Sequence, residues 1–220
     1  VKRFWFILVV ILSYFLFKGP FEPSSQVHEI DLSGSVKMLK FLKKMKASQE
    51  GIPLLSKELD SILKEKPFEL MFYHYNRPIR PYELPEKIFR DMILSLKFPE
   101  KYTLGENTRA DSMLPLWKKA FEKIDFFENL TKELSEESSY KKMNEAIEFS
   151  NSWLPEDMQV PKSYLFILPQ GGSSAFVVPS DKTSSPSQGV DLFQLASSDL
   201  VFDLKKFTMM LAHESHHLGL

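Results

Sequence analysis

His213, Glu214 and His217 are the residues of this chain whose types and spacing most directly specify a chemistry, within the run His213-Glu214-Ser215-His216-His217. Residues four apart on a helix share a face, so His213 and His217 can aim ring nitrogens at one metal ion. Neutral imidazoles at about 2.0–2.1 Å suit zinc. Glu214 lies about 100° further round the helix, beside the metal rather than on it. From there it can take a proton from zinc-bound water and hand it to a leaving amine. His216, three residues after His213, is read as an outer or surface residue, because the i,i+4 pair is the arrangement that binds. Histidines near a helix C-terminus are also favoured by the helix dipole. With only five histidines in the chain, however, two of them and a glutamate at this spacing make a poor coincidence. A catalytic zinc takes three protein ligands and keeps a fourth position open. Leu220 follows the motif by three residues, so the expectation is a site cut short before its third ligand, which leaves the activity of the chain as it stands open.

Several elements must hold these residues in place. The segment Leu200 to Ala212 runs into the motif without Pro or Gly, and Leu200, Leu204, Phe207, Leu211 and Leu218 fall near one stripe, which predicts a buried helix. Ser198 or Asp199 is its expected N-cap. Upstream, Ser163 to Leu168 and Ala175 to Pro179 read as short buried strands, with Gly171 and Gly172 marking a turn between them. Val190 to Leu195 is a weaker third strand, and the polar stretch Ser180 to Gly189 reads as a surface loop.

The run Met209-Met210-Leu211-Ala212-His213-Glu214-Ser215-His216-His217-Leu218-Gly219 resembles the active-site helix of zincin metallopeptidases. It is similar in particular to bacterial zinc-dependent peptidases that carry an Ala-His-Glu-x-His-His run. The metzincin extension has a Gly three residues after the second His, where this chain has Leu220, so the gluzincin pattern fits better. That resemblance implies an α+β fold, Zn2+ as cofactor, a peptide or protein substrate laid along an edge strand, and a Glu on a later helix as third ligand. No residue of this chain matches that Glu.

At the other end, Lys2-Arg3 precedes the apolar run Phe4 to Phe17. A basic start and 14 apolar residues predict a secretory signal or an uncleaved membrane anchor, the run being short for a full span. The expected location is the periplasm, the exterior or the outer side of the cytoplasmic membrane. With 28 basic and 29 acidic residues the net charge is −1, which gives no basic field for nucleic acid. The absence of Cys excludes disulfides, thiolate zinc ligands and a lipoprotein anchor.

Between the ends, helical periodicity covers Val36 to Met45, Leu54 to Leu63, Pro85 to Leu96, Leu114 to Leu134 and Tyr140 to Trp153. Pro78, Pro81, Pro85 and Pro99 separate short helices, and Pro155 with Pro161 marks the passage to the strands. The charged segment Glu122 to Lys142 reads as a solvated helix face. Asn129-Leu130-Thr131 is a glycosylation sequon placed, incidentally, in a helix. His74 and His28 lack motif-like spacing to the site; His74 reads as aromatic packing within Phe72-Tyr73-His74-Tyr75, and His28 follows the expected signal region. The predicted organisation is α+β: a signal or anchor over residues 1–20, a helical region over 21–150, and a partial zincin-like catalytic region over 151–220. Peptide hydrolysis is the leading reading. The alternative is an exported, catalytically inactive helical binding or scaffold protein.

Overall fold

The computed structural model describes residues 28–49, 51–78, 83–102, 104, 108–155, 158, 160–179, 186–196 and 201–218. The apolar run of residues 4–17 lies outside them. Among the described residues no helix is long and apolar enough to cross a membrane.

The fold is α+β. A short strand β1 (Glu29–Asp31) leads into α1 (Ser33–Ala47), α2 (Ile52–Leu63), α3 (Lys66–Tyr75), α4 (Glu86–Ser95), α5 (Thr108–Glu122), α6 (Ile124–Leu134) and α7 (Glu137–Phe149). A 3-10 turn (Ser150–Trp153) extends α7, and then come β2 (Tyr164–Leu168), β3 (Ala175–Val178), β4 (Ser187–Asp191), another 3-10 turn (Leu192–Leu195) and α8 (Leu204–Leu218). The apolar periodicities expected for α1, α2 and α4 are met within a few residues at each end. The long helix expected over Leu114 to Leu134 is two helices that meet at Lys123, whose backbone leaves the helical region. The stretch Tyr140 to Trp153 is helical only to Phe149 before it tightens into the 3-10 turn.

Two elements carry no sequence expectation. The helix α3 has Pro67 in its first turn, where the missing N–H costs nothing, and buries Phe68, Met71 and Tyr75. The strand β1 has three residues, too few to show a period, and lies in the stretch read as helical. His28, just before β1, fixes its position: the Ser163 N–H donates to the ring Nδ1 at 3.2 Å, and the His28 N–H donates to Asn144 Oδ1 on α7 at 3.1 Å. Burial, reinforced by Lys162, holds this imidazole below its ordinary pKa.

The sheet order is β1-β2-β4-β3, with β1, β2 and β4 parallel and β3 antiparallel at one edge. The third strand is therefore Ser187–Asp191, not Val190 to Leu195, and Ser187 to Gly189 belong to the sheet rather than to a surface loop. The reason lies at Gly189. It stands opposite Phe166 on β2 and Phe176 on β3, and the two rings meet across it at 5.8 Å. A Cβ there would come within 2.5 Å of Phe176 and 2.8 Å of Phe166. Neighbouring aromatics, not the strand's own side chains, make Ser-Gln-Gly a core strand. After Asp191 the chain turns, because the Asp191 carboxylate accepts the Phe193 N–H at 3.0 Å and caps the 3-10 turn.

The helices α1 and α3 cover the sheet, and α8 packs on α7, on the 3-10 turn after it, and on β3. One core runs from the helices into the sheet, through residues such as Phe41, Phe68, Trp117, Phe166 and Phe207.

Candidate functional site

The helix α8 begins at Leu204, four residues later than its periodicity suggests. An isolated antiparallel bridge pairs Phe202, two residues before the helix, with Ala196. Asp203 then caps the helix, its carboxylate accepting the Lys206 N–H at 3.0 Å. Ser198 and Asp199 lie outside the described residues.

Nor is α8 buried on all sides. Phe207, Leu211 and Ser215 form the buried stripe, and Leu204, Met210 and Leu218 pack partly against the core. Ser215, fully buried, occupies one of the two unspecified positions of the motif. Its hydroxyl meets the side chain of Gln188 on β4, at 3.1 Å from Nε2 and 3.3 Å from Oε1. This contact fixes the rotation of α8 on the sheet, and rotation decides which residues face outward.

The outward face carries Met209, His213 and His217, each exposed, at i, i+4 and i+8. The Nε2 atoms of His213 and His217 stand 3.3 Å apart, with the rings nearly perpendicular at 89°. Two nitrogens held at about 2.0–2.1 Å from one tetrahedral ion are themselves about 3.3–3.4 Å apart. The observed pair has that spacing, so this donor set fits zinc. Glu214, half-buried, lies about 100° round the helix from His213. Among the described residues no group of three His, Asp or Glu gathers closely enough to hold a metal ion.

On the other flank, α8 and α7 enclose a groove of about 750 Å³. Ala146, Phe149 and Trp153 form one wall, and Leu204, Met209 and Ala212 form the other. His213 and His216 also line it, so His216 belongs to the groove rather than to the pair. The His216 Nδ1 atom is shielded from water and has no hydrogen-bond partner among the described residues. Sequence reasoning did not foresee this groove, since its walls lie 51 or more residues apart in the chain. One signal was present: Phe149 and Trp153, two large apolar residues, fall four apart where α7 passes into the turn after it.

The other histidines stay away from the site, as expected. His74 is buried and stacks on Phe176 at 3.9 Å. The sequon threonine, Thr131, is buried and bonds back to the Phe127 carbonyl within α6. In the charged stretch, Asp125 and Glu128 both pair with Lys43 of α1 at the surface.

Residues 59–220, well over half of the chain, match the model of the family described as "Putative zinc dependent peptidase (DUF5700)". No curated protein and no solved structure matches the chain.

Proposed function

The chain belongs to the family so described, and on this premise we propose that it is a zinc-dependent peptidase in which His213 and His217 hold a catalytic zinc ion with Glu214 as the base beside it. The observation that carries the reading is the 3.3 Å separation of the two Nε2 atoms on an open helix face. Zinc, when bound there, supplies a Lewis acid that acidifies water and polarises a peptide carbonyl.

The chain's own residues do the rest. His213 and His217 act as neutral donors through Nε2. Glu214 accepts a proton from the attacking water and returns it to the leaving amine. Its position suits a substrate laid along β3. The helix α7 lies towards β1, through the His28–Asn144 bond, while α8 is tied to β4 and packs on β3. Glu214 does not line the groove against α7, and since α8 also packs on β3 we assign it to the flank towards the β3 edge. An extended peptide added to that edge would pass Glu214 and then the histidine pair. We also read Lys2-Arg3 and the run Phe4 to Phe17 as an export signal or anchor. Protease accessibility in intact and opened cells tests that placement.

The deciding experiment measures zinc content and peptide hydrolysis on the full 220-residue chain. Glu214→Gln should keep its zinc and lose about 10²- to 10⁴-fold in rate, because it removes the proton acceptor and spares the donors. His217→Ala should lose zinc and activity together. Undiminished hydrolysis by Glu214→Gln would refute the assignment. Zinc held tightly by the unaltered chain would point to a third donor within these residues.

A further inference from the structure

We propose that the groove between α7 and α8 is a substrate subsite that selects an aromatic or large aliphatic residue next to the cleaved bond. This rests on the reading of His213, Glu214 and His217 given above.

Three observations converge on it. The first is continuity. His213 belongs to both places, with its ring in the groove wall and its Nε2 facing His217. Met209, one helical turn before His213, joins the groove to the open face. A peptide whose carbonyl sits at the histidine pair therefore has Glu214 on one side of α8 and the groove on the other.

The second is surface chemistry. Trp153, Met209 and Phe149 are 61%, 66% and 39% exposed, and all three line this one groove. Large apolar side chains left in water and clustered around one concavity mark a binding surface. Ala146 and Ala212 keep the space between the walls open. The rings of Phe149 and Trp153 already meet edge to face, 6.0 Å apart, and can take a further ring in the same manner. The third is size and charge. A volume of about 750 Å³ falls within the range of roughly 300–1,000 Å³ typical of ligand sites. It exceeds one side chain, leaving room for a neighbouring residue. Lys142 and Lys205 stand against Glu145, which itself pairs with Lys141 at 3.9 Å. These mixed charges give a strongly charged substrate residue no dedicated partner.

The test uses the full, zinc-loaded chain and a series of internally quenched peptides that differ only at the residue flanking the cleaved bond. Phe and Leu peptides should exceed the Ala peptide in kcat/KM by about tenfold or more. Met209→Glu and Trp153→Ala, both at exposed positions, should collapse that ratio to within about twofold. A second readout needs no turnover. In the Glu214→Gln background, the Phe peptide should change the tryptophan emission, and replacing Trp153 by Phe should remove the change. Trp153-dependent binding without hydrolysis by the unaltered chain would keep the groove and overturn the peptidase reading. Hydrolysis that ignores the flanking residue, or a preference that both variants leave intact, would overturn the groove and keep the peptidase. Neither hydrolysis nor Trp153-dependent binding would overturn both.

Discussion

Two polar clusters in this molecule behave in opposite ways. At the end of β4, Asp191 is fully buried, and its carboxylate accepts the N–H groups of Gln170, Gly171 and Phe193 at 2.8–3.0 Å. The same loop is held again by Trp117, which donates to the Gln170 carbonyl, and by Tyr75, whose hydroxyl accepts the Ser173 N–H. Gly171 sits at φ +76°, where a side chain would be strained and would also press on Trp117. Burial pushes the Asp191 carboxyl up to about 7, against the pull of the N–H groups around it. On the open face of α8, the Nε2 of His213 faces the Nε2 of His217, at a spacing that suits an ion better than a hydrogen bond between perpendicular rings. A perturbed, buried acid is often taken as the mark of a functional site. Here its bonds are closed within the fold and the acid is structural, while the chemically open groups sit at the surface.

The largest effect expected from breaking the closed region is at Gly189. Gly189→Val would drive a side chain into the rings of Phe166 and Phe176, costing about 3 kcal/mol or more by overpacking. Chemical denaturation measures it, and a loss under about 1 kcal/mol would mean that the rings yield freely.

Next comes Asp191→Asn. An amide nitrogen must then face a backbone N–H, leaving a buried donor without an acceptor, at about 1–3 kcal/mol. The pH dependence has a definite sign. With a folded pKa of about 7 and an unfolded value of about 3.9, the native state holds the proton more tightly. Asp191 therefore lowers stability as pH rises between those values, by up to roughly 4 kcal/mol. The asparagine variant lacks this slope, so its deficit should be greatest at or below about pH 4, and larger at pH 5 than at pH 8. His28 acts in the opposite direction. Its depressed pKa costs stability as pH falls below its unfolded value, but it cancels when variant and parent are compared at one pH. A deficit that grows with pH would contradict the assignment.

How far the sequence reveals these two regions follows from the range of the forces that build them. The histidine pair was readable because its geometry is local: i,i+4 spacing needs only a helix, and Phe207 and Leu211 signal one. The strand β4 was not, because Ser187, Gln188 and Gly189 have the composition of a loop and become a strand only between Phe166 and Phe176. Asp191 was equally silent, since two of its partners are backbone groups 21 and 20 residues away in the chain. The groove depends on the packing of α7 against α8, which no single stretch encodes.

Ser215 links the two regions. Ser215→Ala leaves the buried Gln188 amide without its partner and should cost about 1–2 kcal/mol. Because this contact sets the rotation of α8, zinc affinity should also fall, although Ser215 faces away from the metal. Unchanged zinc affinity in a destabilised variant would show that the packing of Phe207 and Leu211 alone sets the rotation.

The smallest effect separates the two regions most cleanly. His213 and His217 are exposed and support little of the fold, so replacing both by Ala should move the stability of the metal-free protein by no more than about 0.5 kcal/mol. Zinc then makes the difference. A ligand that binds only the folded state at 100 times its dissociation constant adds about 2.7 kcal/mol. The parent should gain that much on titration with zinc, and the double variant nothing. Urea unfolding with and without zinc reads both numbers. Equal zinc stabilisation in the two proteins would place the metal elsewhere in the molecule. A large loss in the metal-free variant would mean that the open face is as much a part of the fold's architecture as Asp191.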